Sequence, residues 1–229
     1  MTSKLLIVDD DKNICEILEY NLKNEGYDVA CAYSAEEALQ NQIENYSLIL
    51  LDVMMGGMSG FKLAEQLRLS GVRTPIIFLT AKDTENDMLT GFSVGGDDYI
   101  SKPFSVKELI ARVRAVLKRS NTLPLAASDG NKLVFNDFVI DLEVMEISIK
   151  NEKISLTRKE FEIIALLAEF PEKVFSRDDI IDRLWKDTPY VTVRTVDVHI
   201  TRLRKKLGDY AGIITNRSGF GYRFNASFV

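Results

Sequence analysis

Four short apolar runs in this chain end at, or just before, a residue able to do chemistry. "KLLIVDDDK" runs into Asp9, Asp10 and Asp11, "LILLD" closes on Asp52, "PIIFLT" closes on Thr80, and "DDYISKP" carries Lys102. Adjacent carboxylates repel one another, and burial at a strand end sharpens the repulsion, so a positive partner is expected beside them. Asp9, Asp10 and Asp52 would form a hard, oxygen-rich pocket suited to Mg²⁺ or Mn²⁺, which need few protein ligands. Lys102 offers a compact positive charge for a phosphoryl oxygen, and Thr80 a hydroxyl that donates and accepts. A carboxylate such as Asp52 could then attack phosphorus and form an aspartyl phosphate, with the cation and Lys102 stabilising the transferring charge. Each residue alone has a plainer reading. Asp11 suits a helix N-terminus, Thr80 a strand end, Lys102 a solvated turn, and the Met54–Met58 cluster packing. Their convergence on one sheet edge favours a site.

The elements that must position these residues alternate. Apolar runs at 4–8, 27–32, 47–51, 75–79 and 98–101 are separated by amphipathic stretches at about 12–24, 35–44, 59–70, 84–94 and 105–118. Five such strand–helix units predict a doubly wound five-stranded parallel sheet with helices on both faces. Ligands of such sheets bind at the carboxyl ends of the strands, where strand order reverses. "RSNTLPLAASDG" changes composition and reads as a linker. The expected organisation is therefore residues 1–119, a linker at 120–130, and a second domain at 131–229.

Bulk properties exclude several classes. Two cysteines, Cys15 and Cys31, with no C-x-x-C pair, argue against a disulfide framework or structural zinc. The single histidine, His199, makes a multi-histidine metal site impossible. The apolar run near the start is too short for a signal peptide or a membrane span, so a cytoplasmic protein without a membrane partner is expected. The charge of −5 resides in residues 1–120, and residues 121–229 are neutral, yet Tyr190–Arg217 holds six basic and two acidic residues. That local excess favours polyanion binding at one place.

The second half opens with alternating runs that read as short antiparallel strands. Thr157 and Glu160 make a capping box for a first helix, a second begins near Ser176, and a third covers about 193–207. "IITNRSGFGYRF" reads as a hairpin with a Gly-rich tip. On the third helix, Val193, Val196, Ile200, Leu203 and Leu207 share a face expected to pack inward. Arg194, Val198, Arg202 and Lys205 share another, flanked by Thr195 and His199. An apolar back and a basic front suit the DNA major groove. Arg204 and Lys206 are expected at phosphates or solvent, and Arg217 suits a narrow minor groove.

"LLIVDDD", "LILLDVMM", "PIIFLTA" and "GGDDYISKPF" resemble the receiver domain of two-component response regulators, a flavodoxin-like fold with strand order 2-1-3-4-5. "SLTRKEFEIIALL", "FSRDDIIDRLW", "VRTVDVHITRLRKKL" and "RSGFGYRF" resemble the α+β winged helix-turn-helix effector domain of OmpR/PhoB-type regulators. The resemblance implies that Asp52 is phosphorylated by a sensor histidine kinase. It also implies that Asp9, Asp10, Asp52 and the Met54 carbonyl hold Mg²⁺, that Thr80 and Lys102 contact the phosphoryl group, and that Thr80 and Tyr99 form the switch. It implies a cis Lys102–Pro103 bond, and DNA contacts at Trp185, Arg194, Thr195, Val198, His199, Arg202, Arg204 and Arg217. It further implies an activation-linked homodimer, direct-repeat sites in double-stranded promoter DNA, and RNA polymerase as a partner. Beyond its own phosphoryl transfer and slow dephosphorylation, no enzymatic activity is expected. Two departures stand out. Gly56 sits where the family usually has proline, and Met88 replaces the basic residue that pairs across a dimer with the acid matching Glu108. Asp97 or Asp98 with Arg112 remain candidate dimer pairs.

Two other readings stay open. A haloacid-dehalogenase-like phosphohydrolase would use the D-x-D within Asp9–Asp11, but Asn13 stands where Thr or Val is usual and Asp52 would have no role. A DNA binder indifferent to phosphorylation is consistent with Gly56 and Met88.

Overall fold

The computed structural model describes residues 2–81, 85–118, 132–185 and 191–228. The chain divides into two compact units, Met1–Leu123 and Pro124–Val229. The expected linker lies outside the described residues.

In the first unit, β1 (Lys4–Val8), β2 (Asp28–Ala32), β3 (Leu48–Asp52), β4 (Ile76–Thr80) and β5 (Asp98–Ser101) form one parallel sheet in the order β2-β1-β3-β4-β5. Every residue of β3 and β4 is buried, as expected of central strands covered on both faces. The covering helices are α1 (Lys12–Asn24), α2 (Ala35–Leu39), α3 (Gly60–Leu69), α4 (Glu85–Ser93) and α5 (Val106–Lys118). Ile7, Leu18, Leu50, Leu79, Leu109 and Val113 are among the residues of one core layer. Because β1 lies between β2 and β3, the strand order reverses beside β1, and the ends of β1 and β3 share the resulting crevice.

Local chemistry sets the helix ends. Asp11 caps α1, accepting from Asn13 N at 2.9 Å and Ile14 N at 3.4 Å. The helix expected at about 35–44 stops at Leu39. Asn41 Nδ2 donates to the Glu37 carbonyl at 3.1 Å, so a side chain takes over a helix-terminal acceptor, and a 3₁₀ turn follows at Ile43–Asn45.

In the second unit, β6 (Lys132–Phe135), β7 (Phe138–Asp141), β8 (Glu146–Ile149) and β9 (Glu152–Ile154) form an antiparallel sheet in sequence order. α6 (Arg158–Glu169), α7 (Arg177–Leu184) and α8 (Val193–Leu207) follow, and then β10 (Ile214–Arg217) pairs with β11 (Gly221–Phe224). This is a winged helix-turn-helix arrangement behind an N-terminal sheet. The Thr157–Glu160 capping box opens α6, with Thr157 N donating to Glu160 at 2.7 Å. Ser176 and Asp179 make a second box on α7. Val196, Ile200, Leu203 and Leu207 are buried as expected, but Val193 is 41% exposed. It is the first residue of α8, one turn beyond the last core layer.

Arg68 secures the loops below the site edge. Its guanidinium donates to the carbonyls of Val72, Thr74 and Gly95 at 2.8–3.2 Å and pairs with Asp97 at 3.4 Å. Gly60 secures the site edge itself. Its N–H donates to Val53 O at 3.1 Å, and an ideal Cβ there would fall 2.0 Å from the Asp52 carbonyl oxygen. Gly60→Ala is therefore expected to destabilise the first unit by roughly 1–3 kcal/mol, read from its midpoint in urea.

Candidate functional site

The carboxyl edge of the first sheet gathers the predicted residues. Carboxylate oxygens of Asp9, Asp10 and Asp52 lie within 4.8 Å of one another. Asp9 and Asp52 are buried and Asp10 is exposed. Lys102, brought in from the end of β5, places its Nζ 2.7 Å from Asp9 Oδ2 and 3.1 Å from Asp52 Oδ1. The second approach is poorly aligned, and Asp52 Oδ1 is left buried without a hydrogen bond. Asp9 Oδ1 accepts from Asp11 N at 3.0 Å. Asp10 Oδ2 accepts from Gly56 N at 2.9 Å, a donor that proline could not supply. Thr80 is fully buried at the end of β4, and its carbonyl accepts from Lys102 N at 2.7 Å. The Lys102–Pro103 bond is cis.

The electrostatics follow from burial and neighbours. Burial pushes the Asp52 carboxyl above its ordinary range, Lys102 pulls it back, and Asp9 and Asp10 add to the push. Burial works against the Lys102 ammonium, yet Asp9 and Asp52 outweigh it and hold its pKa above the ordinary value. One cation facing three carboxylates leaves the pocket anionic. An all-oxygen donor set with an oxygen lacking any donor fits Mg²⁺.

Tyr99, on β5, is 1% exposed, and its ring faces Phe78 at 6.3 Å between centroids. Gly91 of α4 lets that ring approach, since a Cβ there would meet it at 3.2 Å. The residues of the expected dimer pairs have partners within the chain. Asp97 is buried against Arg68 and the Ile76 N–H. Asp98 and Arg112 are buried together at 3.3 Å, and Arg112 also reaches Glu108 at 2.9 Å. All of these pairs lie within one chain.

In the second unit, Arg194, Lys205 and Arg217 are exposed and Val198 is half-buried. Three other expected DNA contacts lie inside the unit. Trp185, Thr195 and His199 are each 1% exposed, because α8 packs against both α6 and α7 and its buried arc is wider than one apolar stripe. Trp185 and His199 stack at 5.4 Å, Lys159 Nζ sits 4.9 Å over the indole, and Thr195 Oγ1 accepts from Thr192 N. Arg204 spends its guanidinium on the Ile214 carbonyl at 3.2 and 2.7 Å. Arg202 pairs with buried Glu160 at 3.3 Å, and Lys206 with the same carboxylate at 2.6 Å. Sequence reasoning saw Glu160 only as a capping residue, and Arg68 carried no sequence signal. Gly60 was likewise not singled out by sequence reasoning.

Comparison with known proteins agrees with this geometry. The family model described as response regulator receiver domain matches residues 5–114. That described as transcriptional regulatory protein, C terminal, matches residues 151–224. Response regulator DrrB, a Thermotoga maritima OmpR/PhoB homologue, is 32% identical over 98% of this chain and 100% of its own, with a TM-score of 0.52. A RitR mutant is 26% identical over 97% and 99%, with a TM-score of 0.73. A two-component response regulator from Clostridium difficile is 33% identical over 53% of this chain and 100% of its own, with a TM-score of 0.50. The chain belongs to the OmpR/PhoB-type response regulators. It is a two-component transcriptional regulator, a receiver followed by a DNA-binding effector domain. Among the described residues no helix is long and apolar enough to cross a membrane.

Two predictions follow from the charges. Above its raised pKa, Asp52 carries a poorly solvated charge that costs stability, and the cost is lost as pH falls through that pKa. Without divalent cation at neutral pH, Asp52→Asn should raise the Tm of the first unit by roughly 2–4 °C, and the gain should shrink in acid, as read by scanning calorimetry. Burial, aided by the charges of Arg202, Lys159 and Lys206, lowers His199 from 6.5 to about 3. Between those values the unfolded chain binds the extra proton, so His199 contributes stability that is lost as pH falls through this window. His199→Gln should give a shallower pH dependence of urea unfolding there, followed by fluorescence of the single tryptophan, Trp185.

Proposed function

We propose that this protein is a phosphorylation-gated transcription regulator in which Asp52 accepts a phosphoryl group from a sensor histidine kinase. The observation that carries the reading is the Asp9, Asp10 and Asp52 cluster with Lys102 bridging two of its members. Asp9, Asp10, Asp52 and the Met54 carbonyl would hold Mg²⁺, which when bound neutralises the carboxylates and the transferring group. Lys102 keeps its proton at these distances and offers that charge to a phosphoryl oxygen. An Asp52 carboxylate oxygen forms the new bond to phosphorus while the phosphohistidine P–N bond breaks, its electron pair leaving with the imidazole. The Thr80 hydroxyl then binds the phosphoryl oxygens, and movement at Thr80 is relayed to Tyr99, which lies on the adjacent strand β5 opposite Phe78, two residues before Thr80 on β4. Because those contacts exist only in the phosphorylated state, they bias the equilibrium between two arrangements of the α4–β5–α5 face.

That face would form the homodimer, with Asp97, Asp98, Glu108 and Arg112 as its charged residues and Met88 in place of the family's basic partner. Paired effector domains would then bind direct repeats in promoter DNA more tightly than single ones. Arg194, Val198 and Lys205 lie on the accessible face of α8, and Arg217 lies on the wing. RNA polymerase is the downstream partner, the setting is the cytoplasm, and the receiver catalyses only its own phosphoryl transfer and slow loss.

Incubation with Mg²⁺ and acetyl phosphate should give a single phosphoryl adduct by intact mass, and Asp52→Asn should give none. An adduct that persists in the variant would overturn the assignment of Asp52. Turnover of a phosphoester substrate would favour a phosphohydrolase instead.

A further inference from the structure

One acid, Asp197, stands in the middle of the otherwise basic α8, where a negative charge would oppose the approach of a phosphate backbone. Its carboxylate is engaged inside the unit. Asp197 Oδ1 accepts from Arg177 Nε of α7 at 2.6 Å and from the Tyr222 hydroxyl of β11 at 2.7 Å. Arg177 also donates to the Tyr222 oxygen at 3.1 Å, and its guanidinium lies 4.8 Å from the centre of that ring. Arg204, two turns further along α8, lies 5.6 Å from the same ring while it donates to Ile214 O at the start of β10. Four side chains thus join α8 and α7 to both strands of the wing.

The base of the wing is held by backbone. Phe175 and Tyr222 exchange N–H···O bonds of 2.8 and 2.9 Å. Gly221 has φ +129°, and a Cβ there would sit 1.9 Å from the Phe175 carbonyl oxygen. Beyond that base, Asn216 to Phe220 are all exposed, Arg217 among them.

We infer that Asp197, Tyr222 and Arg177, with Arg204, are positioning residues that set the offset between α8 and the wing tip, so that both reach one DNA half-site together. The inference rests on the DNA-binding reading above. Two contacts mounted on one rigid body act at high effective concentration. Once the hydroxyl tie is cut, the hairpin keeps its backbone pairing with Phe175, the Arg177 contact with its ring and the Arg204 bond to Ile214 O, but loses the direct bond from β11 to α8, so the position of Arg217 relative to α8 is less fixed at each engagement. The tie also meets the Asp197 charge with Arg177, so the acid opposes the DNA backbone less than its position on α8 implies.

The test is a double-mutant cycle on the full chain, read by fluorescence anisotropy with a duplex that the wild-type protein selects from a random-sequence pool. Tyr222→Phe keeps the ring and removes the hydroxyl. In the wild-type background, Arg217→Ala should weaken binding by roughly 5–20-fold and lower the salt slope by about 1. In the Tyr222→Phe background the same change should cost less than about twofold, because the contact is already uncoupled. Asp197→Asn, a second cut that preserves shape, should lose the coupling in the same way, with the Tm of both variants recorded alongside. An equal penalty for Arg217→Ala in all backgrounds overturns the positioning role while leaving DNA binding intact. Failure of the wild-type protein to select any duplex overturns the DNA-binding reading itself.

Discussion

Mutual repulsion of carboxylates at the edge of the first sheet is the constraint on which the rest of the receiver depends. Asp9, Asp10 and Asp52 can share 4.8 Å of space only because a parallel sheet brings two strand ends together at its switch point and because Lys102 arrives from β5 with the opposing charge. Burial makes each charge more expensive and each pairing stronger. The pocket is therefore held in a state that a further cation or a phosphoryl group would change, which is the physical requirement for a switch. Thr80 ends β4 opposite Ser101, and Tyr99 lies two residues back from that edge, opposite Phe78, in the register of β4 against β5.

The second unit solves a different problem with the same means. Glu160 is fully buried, yet it caps α6 and receives both Arg202 and Lys206 from α8. Lys159, also buried, is met by Glu162 at 2.6 Å and by the Leu184 carbonyl at 2.7 Å. Removing one partner of such a pair strands the other, so these networks fix orientation more than they add net stability. The recognition helix is consequently located by ionic contacts as well as by its apolar face.

Much of this was legible in the sequence. The strands of the first sheet and the Asp9, Asp10, Asp52, Thr80 and Lys102 constellation follow from apolar runs ending in polar residues, since strand ends of one parallel sheet must share an edge. The capping box at Thr157 is a local pattern and was equally readable, as was the start of a helix near Ser176. What escaped depends on tertiary neighbours. A helical wheel assigns one buried stripe, but α8 has two walls, α6 and α7, and so Thr195 and His199 went inside. Asp97, Asp98 and Arg112 read as surface charges because nothing in their spacing shows that their partners, Arg68 among them, lie within the same fold. The early end of α2 is accompanied by a side-chain bond from Asn41 to the Glu37 carbonyl, beyond the reach of periodicity.

The hydrogen bond from Gly56 to Asp10 has a consequence for mutational tolerance. Asp10 is aimed by a main-chain proton, and an ideal Cβ at Gly56 would lie 3.8 Å from Asp10 Oδ2, an ordinary contact. A methyl side chain at position 56 would leave this bond in place, whereas the proline usual in the family lacks the proton, so a chain with proline there must hold the acid matching Asp10 by other means. Here the loop after Asp52 is therefore coupled to β1 through a main-chain bond that the family's usual residue does not allow.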